Sequence, residues 1–579
     1  WLKTLLVLLV CFSSPTVWGS DALPTQYGIE QMQGKMQFSP YAGRNYPTRP
    51  LFGDTHLHTA ISVDAGTMNR LGQEEAFRFA RGEEVTSQGG LRAKLSRPLD
   101  WLVISDHAEL YGLMPQLLAG DPDILATKQG RFLHDMRKSG HKEKMFNTAM
   151  EIVGALQQPD PPFESTDVVR DAWRDYTALA EKYNEPGRFT ALIGYEWTSV
   201  PKGYNLHRNV ILRDGAMRAK QVVPLTTQPP FGSTDPLDLY KWLEDYEKKT
   251  NGQAFALAHN GNLSNGWMFP IDKTYAGGKV DKNYVEQRAR WEPLYEMTQI
   301  KGDGEAHPFL SPNDEFADYE TWDKGNLDLT ALKEDEMLAG EYAREALKRG
   351  LMLEEKLGTN PYKFGMIGST DSHTSLATAQ EDNFFGKHSG AEPNPERMTH
   401  PFMENENGTI MGWQQVAAGL AAVWATDNTR EALWDAMQRK ETYSTTGPRM
   451  MVRLFGGWDF TEQDMNSRMP AVVGYEKGVP MGGDLRPAPA GAEAPRFMVF
   501  ALRDPVGANL DRIQIVKGWL KADGTTAEKI FDVAWSGERK PGSDGKVPSV
   551  GNSVNVEDGK WDNSIGSAEL KALWTDPEF

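Results

Sequence analysis

Cysteine, basic charge and long apolar runs are all scarce in this chain of 579 residues. The one cysteine, Cys11, lies in an apolar N-terminal segment, so a product without that segment has neither a disulfide nor a thiolate nucleophile. Lysine and arginine number 62 against 80 aspartates and glutamates, which gives a net charge of −18 at pH 7. An acidic surface repels nucleic acid and anionic membranes, so we expect neither as a partner. After the N-terminal segment no apolar run is long enough for a membrane span.

Three catalytic and nucleotide-binding signatures are also missing. The chain has no G-x-S-x-G nucleophile elbow, no G-x-x-x-x-G-K-[ST] phosphate loop and no Rossmann glycine fingerprint. Serine-hydrolase, P-loop nucleotide and dinucleotide chemistry therefore have no local support in the sequence.

The first 19 residues have the pattern of a secretory signal peptide. Lys3 is followed by an apolar run at 5–12, and a cleavage point fits near Gly19. We expect a periplasmic or secreted protein; the alternative is a buried N-terminal helix. Position 1 is not Met and the last residues have no terminating pattern, so we also expect a sequence cut short at both ends.

Short apolar segments alternate with helix-like stretches up to about residue 450. Near-continuous apolar runs favour strands buried on both faces of a parallel sheet, and helices between them favour an α/β barrel or wound sheet. The apolar segments include 99–105, 189–197, 254–260 and 364–373, the helix-like stretches 73–84, 171–184 and 428–441, and the polar inserts 110–170, 265–290 and 300–360.

The alternation of apolar segments with helix-like stretches ends at about residue 450. Segments 496–504, 512–520 and 529–536 look like antiparallel strands separated by turn residues. We therefore expect a barrel domain at 40–450 and a smaller β-rich C-terminal region at 451–579.

Residue types that bind metals collect where the apolar segments end. At the ends of parallel barrel strands such residues meet at one rim, however far apart they are in the sequence. Taken singly, a histidine such as His207 is more often a structural residue than a ligand, and a stretch such as Asp371–His373 is more often a turn or cap, while Glu196 fits an ion pair as readily as a metal site. Their joint occurrence at five or six strand ends favours a metal site. The candidate ligands are His56, His58, Asp64, His107, Glu196, His207, His259, Asp371 and His373.

The order of these motifs resembles the PHP (polymerase and histidinol phosphatase) superfamily of metal-dependent phosphoesterases. The motifs are H-x-H at 56–58, Asp64, S-D-H at 105–107, G-Y-E at 194–196, H-R-N at 207–209, A-H-N at 258–260 and S-T-D-S-H at 369–373. The resemblance implies a distorted (β/α)7 barrel over roughly 50–450. Segments 439–450 and 503–519 resemble a large secreted branch, long catalogued as a domain of unknown function, whose members have been linked to manganese-dependent phosphatase activity.

The same resemblance implies about two to three metal ions. His56, His58, Glu196 and Asp371 resemble the ligands of the first ion, and Glu196 would bridge to a second ion held by His207 and His259. Asp64, His107 and His373 resemble a third site. Asp64 stands where many relatives carry His, and a carboxylate there favours manganese or iron over zinc.

Other residues are candidates for catalysis and substrate binding. Asp64 and Asp106 are the candidate catalytic carboxylates, although Asp106 also fits a purely structural role. Arg449 could fork two phosphate oxygens or form a surface ion pair. Lys301 and His307 are candidate substrate contacts in a loop near the rim. Ser372, between two proposed ligands, is expected to face away from the ions.

These observations predict a secreted phosphomonoesterase that uses a metal-activated hydroxide. Ligands of nitrogen and oxygen without sulfur suit Mn²⁺, with Zn²⁺ or Fe²⁺ as alternatives. Clustered ions acidify bound water and clamp phosphoryl oxygens, which also explains how an acidic protein attracts an anionic phosphate ester. The rival hypotheses are a phosphodiesterase, a metallo-hydrolase of amides or esters, and a non-catalytic metal- or glycan-binding protein.

Overall fold

The centre of the fold is a curled mixed sheet with strands from most of the chain. The computed structural model describes residues 46–139, 166–228, 232–389, 392–415 and 418–579. The predicted signal peptide at 1–19, with Cys11, lies outside these residues, as does part of the insert at 110–170.

Strands and helices are mixed along the described residues up to the C-terminal region. The strands are β1 (Leu51–Leu57), β2 (Val85–Thr86), β3 (Arg92–Ala93), β4 (Trp101–Ile104), β5 (Thr190–Trp197), β6 (Arg208–Leu212), β7 (Ala254–His259), β8 (Leu294–Gln299), β9 (Gly302–Asp303), β10 (Gly365–Gly368), β11 (Pro401–Asn405), β12 (Gly408–Met411), β13 (Leu420–Val423), β14 (Thr442–Thr445), β15 (Met451–Gly457), β16 (Val479–Pro480), β17 (Arg496–Leu502), β18 (Arg512–Leu520), β19 (Thr526–Trp535) and β20 (Glu569–Thr575).

The helices follow capping rules that the sequence makes visible. Helix α8 begins after Asp235, whose side chain accepts a hydrogen bond from Leu237 N, has Pro236 at its first position and ends at Asn251 in the left-handed conformation. The helices are α1 (Ala65–Met68), α2 (Gln73–Ala80), α3 (Leu113–Ala119), α4 (Pro122–Ala126), α5 (Lys128–Ser139), α6 (Thr166–Tyr183), α7 (Ala216–Ala219), α8 (Pro236–Thr250), α9 (Lys282–Trp291), α10 (Asp335–Leu338), α11 (Ala343–Leu357), α12 (Arg430–Gln438), α13 (Glu462–Met465) and α14 (Pro470–Lys477). Among the described helices, none combines the length and the apolar character that a bilayer crossing requires.

The main sheet curls into a half-barrel in the order β10-β8-β7-β6-β5-β4-β1-β13-β14, with β9 paired to β8. The predicted mixture of α and β structure is confirmed, but the strands are not all parallel. β6 runs antiparallel to β5 and β7, and β13 runs antiparallel to β1. The β5–β6 connection spans only 198–207, which is too short for the crossover that parallel neighbours need. The seven-fold PHP-type barrel stays a prediction.

Two apolar cores lie on opposite faces of this sheet. Strand side chains alternate between faces, so Trp101 and Val103 pack into the inner core while Leu102 and Ile104 pack outward. Helix α12 closes the inner core with Leu433, Trp434 and Met437. The three C-terminal segments predicted as strands contain β17, β18 and most of β19; β15, β16 and β20 were not predicted, and the six strands form the sheet β16-β15-β17-β20 and the hairpin β18–β19. The domain boundary at 450 stays a prediction.

Candidate metal centre

The inner face of the half-barrel changes from apolar to ionisable at one end of its strands. Leu192 in β5, Leu257 in β7 and Leu294 in β8 belong to the inner core. Because side chains alternate along a strand, later positions of the same parity share that face. These positions are Glu196, His259 and Glu296, all buried.

A β-bulge places the H-x-H motif on the same face. The pairing of β1 with β4 shifts register between Asp54 and Leu57, and Leu57 packs into the outer core. His56 and His58 therefore both face the inner side. Both imidazoles are fully buried.

The reversed direction of β6 accounts for His207. The two strands beside β6, which both run opposite to it, carry Glu196 near the end of β5 and His259 at the end of β7. His207 comes just before the start of β6, and an antiparallel strand starts at the edge where its neighbours end. The three side chains therefore meet although they occupy different positions along their strands.

Four ligand atoms form a group with the spacing of a single coordination sphere. His56 Nε2 and His58 Nε2 are 3.0 Å apart, and Asp371 Oδ1 is 3.4 Å from each. Glu196 Oε2 is 3.5 Å from His56 Nε2 and 3.2 Å from His58 Nε2. Two donors bound at about 2.1 Å lie about 3.0 Å apart at right angles and about 3.4 Å apart at a tetrahedral angle. This group therefore fits one divalent cation.

The carboxylate of Glu196 joins this group to a second one. Its Oε1 lies 2.6 Å from His207 Nδ1 and 3.0 Å from His259 Nε2. Since Oε2 belongs to the first group, the two oxygens of one carboxylate face different sets of imidazoles. That arrangement fits a bridging ligand between two cations.

A third group surrounds Asp64. Its Oδ2 lies 2.8 Å from His373 Nε2 and its Oδ1 lies 3.3 Å from His107 Nε2. His58, His107 and His373 also place one nitrogen each within 4.8 Å of one another. The Asp64 side chain is 18% exposed, whereas those of His56, His58, Glu196, His259 and Asp371 are nearly or fully buried, so this group lies on the solvent side of the cluster.

Hydrogen bonds fix the tautomers of the H-x-H pair. The Ser62 hydroxyl donates to Asp106 Oδ1 at 2.9 Å, so it can only accept from His58 Nδ1, which lies 2.8 Å away. His56 Nδ1 lies 3.1 Å from Glu296 Oε1, and a carboxylate accepts. Both histidines therefore carry their proton on Nδ1 and direct the Nε2 lone pair at the cluster, as metal-binding histidines do.

Several buried polar atoms of the cluster lack a hydrogen-bond partner among the described residues. They are His207 Nε2 and His259 Nδ1, together with His207 Nδ1 and Glu196 Oε2, which lie 2.6 Å from Glu196 Oε1 and 3.0 Å from His107 Nδ1 but without the geometry of a hydrogen bond. Buried polar atoms are normally satisfied, and unsatisfied ones point to a bound ion or water. Divalent cations fit these residues, because the orphaned atoms are ligand types and their carboxylates are ionised.

The pKa values keep the Glu196 carboxyl charged and the His207 imidazole neutral, whereas His56 is protonated. Burial alone would raise the pKa of Glu196, but His107, His207 and His259 lower it well below its ordinary value. Burial lowers the pKa of His207 to about 3, which leaves a neutral ligand. Burial opposes protonation of His56 as well, but Asp371 and Glu296 raise its pKa to about 10. A cation must therefore displace the proton of His56, so that binding releases protons.

Two residues beside the cluster, Glu296 and Lys387, are not predicted from the sequence. Glu296 is adjacent in register to His259 and contacts His56, and its one signal is an acidic residue inside the apolar segment 294–300. Lys387 Nζ lies 2.5 Å from Asp371 Oδ1 and 3.0 Å from His373 Nδ1. Lys387 follows a loop and belongs to no periodic pattern, so nothing in the sequence marks it.

The structure brings the nine candidate ligands together, and Lys301 joins them through its contact with Asp371. Asp106 lies beside them but faces away: it accepts hydrogen bonds from Thr59 N, Ser62 Oγ and Gln73 Nε2. The Ser372 hydroxyl also faces away, toward Thr374.

Two candidate substrate contacts have other neighbours. The Arg449 guanidinium donates to the carbonyls of Arg97 and Pro98, which precede β4, whereas the cluster follows β4. A phosphate contact from Arg449 at the cluster is therefore inconsistent with this arrangement. His307 pairs with Asp323 at 2.9 Å and packs against Tyr342, so its ring is already engaged.

Comparison with known proteins gives a family and a distant structural likeness. The model of a family described as "Protein of unknown function (DUF3604)" matches residues 45–579. A search of proteins of curated function finds no match. Among solved structures, a two-domain protein from Bacteroides vulgatus ATCC 8482, described as containing a predicted PHP-like metal-dependent phosphoesterase, is 11% identical over 83% of both chains, with a TM-score of 0.28. A likeness this low carries no argument about fold or function.

Proposed function

The chain belongs to the DUF3604 family, and we propose that it is a metal-dependent phosphoesterase that hydrolyses phosphate monoesters. The observation that carries the proposal is the buried group of His56 Nε2, His58 Nε2, Glu196 Oε2 and Asp371 Oδ1, with separations of 3.0–3.5 Å. Such spacing is costly for bare lone pairs and charges and is natural around a cation.

The proposed cofactors are about two to three divalent ions, with Mn²⁺ first because the ligands are imidazoles and carboxylates without sulfur. Ions held there act as Lewis acids and lower the pKa of bound water. The substrate we propose is anionic because divalent ions attract phosphoryl oxygens. We also propose that residues 1–19 direct export.

The side chains of the cluster have separate tasks in this proposal. Glu196 would contribute one carboxylate oxygen to each of two ion sites, and Ser62 and Glu296 hold the H-x-H imidazoles in the binding tautomer. Asp64, the more exposed carboxylate, is placed to take up a proton from an attacking water at the solvent side. Ordered, buried ligands of this kind pre-organise the site before substrate binds.

Hydrolysis of an aryl phosphate tests the proposal. We expect Mn²⁺ to stimulate the wild type, and His58→Ala or Asp371→Asn to lower kcat/KM by at least about 10³-fold, since each removes a ligand. Asn at 371 tolerates the positive φ of +49° found there, so the backbone is preserved.

The matched control is His134→Ala, which removes a histidine on helix α5 whose partner is Asp135. It should hydrolyse the aryl phosphate like the wild type. Full activity in His58→Ala or Asp371→Asn would refute the proposal. A panel of diesters, amides and carboxylic esters on the same preparation separates the phosphomonoesterase from the rival hydrolases.

A further inference from the structure

Two buried lysines converge on one carboxylate of the candidate metal centre. Lys301 Nζ contacts Asp371 Oδ2, and Lys387 Nζ lies 2.5 Å from Asp371 Oδ1. The lysine side chains are 9% and 3% exposed, and Asp371 is fully buried. Placing two ammonium groups beside one carboxylate in a buried site is unfavourable unless further negative charge is near.

The backbone around Lys301 is built to hold this position. Gly302 has φ +100°, which turns the chain back immediately after Lys301, and a Cβ there would lie 2.6 Å from Trp322 Cβ. Lys301 N donates to Gln299 Oε1 at 2.6 Å, and Gln299 Nε2 donates to Asp371 Oδ2 at 2.7 Å. The turn therefore anchors both Lys301 and Gln299 to the carboxylate of Asp371.

Lys387 reaches the site from a different part of the chain, after the turn Glu381–Asn383. Besides the Asp371 carboxylate, its Nζ lies 2.7 Å from the Asp371 carbonyl and 3.0 Å from His373 Nδ1. An ammonium group bears charge but does not bind metal ions. When protonated, both lysines therefore place positive charge beside the proposed ion positions without filling them.

A charge count indicates which substrate suits this centre. Four carboxylates contact its imidazole or ammonium groups and carry four negative charges, and the two lysines, when protonated, carry two positive charges. Two divalent cations would thus leave a net charge of about +2. A phosphate monoester carries close to two negative charges near neutral pH, whereas a diester carries one. The carboxylates are Asp64, Glu196, Glu296 and Asp371.

We infer that Lys301 and Lys387 bind the non-bridging oxygens of a phosphoryl group and select dianionic monoesters over monoanionic diesters. This inference rests on the proposed function. When Asp371 ligates a cation, its negative charge is shared with that ion, and the two ammonium groups become donors to the phosphoryl oxygens. Lys301 and Lys387 are thus phosphate-binding residues. Replacement of either lysine should leave the metal content unchanged, whereas replacement of a metal ligand should lower it.

Binding of inorganic phosphate to the Mn²⁺-loaded full chain, measured by calorimetry, tests the inference. We expect Lys301→Met and Lys387→Met each to keep the wild-type manganese content and to bind phosphate about ten- to a hundredfold more weakly. Both should also lose most of the preference for an aryl phosphate over its diaryl diester. Lys301→Met, on a turn and slightly more exposed, serves as the decisive variant if Lys387→Met does not fold.

The control is Lys348→Met, which removes a buried lysine paired with Glu345 at 2.7 Å and lying outside the cluster. It should bind phosphate like the wild type. Unchanged phosphate binding in Lys301→Met would overturn the inference, and so would loss of manganese, which would make the lysine a support for Asp371. Monoester hydrolysis unaffected by either variant leaves the proposed function standing without the inference. If the lysine variants bind phosphate more weakly but the wild type hydrolyses no phosphate ester, the phosphate-binding role of the lysines stands and the proposed function fails.

Discussion

A single hydroxyl, that of Ser62, forms hydrogen bonds with three groups of the candidate metal centre. Ser62 Oγ donates to Asp106 and accepts from His58 Nδ1 and from the backbone N of His107. Asp106 is therefore a positioning residue in this structure: it orients Ser62, and Ser62 orients a proposed ligand. Supporting contacts of this kind tune metal affinity by about 10- to 100-fold in other proteins.

Replacement of Ser62 tests this chain of contacts. Ser62→Ala leaves the buried Nδ1–H of His58 without an acceptor, so we expect Mn²⁺ affinity to fall by about 10- to 100-fold, measured by metal titration. Ser372→Ala is the matched control, because its hydroxyl contacts Thr374 and faces away from the cluster. Equal metal affinity in the two variants would contradict the role given to Ser62.

At the residue scale, the sequence predicts which side chains can bind a metal ion better than it predicts which residues contact one another. All nine candidate ligands could be selected because imidazoles and carboxylates at strand ends stand out against apolar segments. Glu296 was missed because one acidic residue in a strand has no periodic signature. Arg449 was misplaced because its contacts with Arg97 and Pro98 join parts of the chain some 350 positions apart.

The strands of the half-barrel were predictable, but their directions were not. Apolar runs at 99–105 and 189–197 contain β4 and β5, since both faces of these strands are buried. Alternation of side chains is the same in either direction, so the pattern cannot reveal that β6 is reversed. Only the ten-residue β5–β6 connection carries that information.

The approach of β1 to β4 depends on a glycine. A Cβ at Gly53 would lie 2.2 Å from the Trp101 ring, closer than non-bonded atoms approach. β1 carries His56 and His58, so any displacement of this strand moves two proposed ligands. Gly53 is thus required by close packing rather than by its backbone angles.

Gly53→Ala should destabilise the protein and disturb the metal centre together. We expect a loss of about 1–3 kcal/mol in the free energy of unfolding, measured by denaturant titration, and weaker Mn²⁺ binding. Gly89→Ala is the control: that position is exposed, and the nearest atom to an added Cβ is Ser87 Oγ at 3.9 Å. A Gly53→Ala protein with wild-type stability would show that the two strands can separate without cost.

At the scale of the whole molecule, the C-terminal hairpin contacts the insert that carries Lys301. Glu528 in β19 accepts a hydrogen bond from Ser311, and Arg512 in β18 pairs with Glu315 at 2.9 Å. Arg512 is 5% exposed and Glu315 is 31% exposed, so the pair is buried on the side of the hairpin and open to solvent on the side of the insert. The β-rich region therefore supports the insert at 300–360.

The net charge of the whole chain and the charge proposed for its metal centre have opposite signs. Its net charge is −18, yet two protonated lysines and the proposed cations would make the centre locally positive. A small anion can thus be attracted at the cluster while polyanions are repelled by the surface. Composition predicts the surface charge, whereas the local reversal depends on contacts such as Lys387 with Asp371 that only the fold creates.

The metal content of the protein purified without chelator, measured by elemental analysis after Mn²⁺ loading and gel filtration, tests the central claim most directly. We expect at least about two ions per chain in the wild type and a large loss in Glu196→Gln, because the two oxygens of Glu196 serve two ligand groups. Glu341→Gln, a buried carboxylate paired with Lys333, should keep the wild-type content. A wild type without bound ions, or a Glu196→Gln variant that retains them all, would contradict the account.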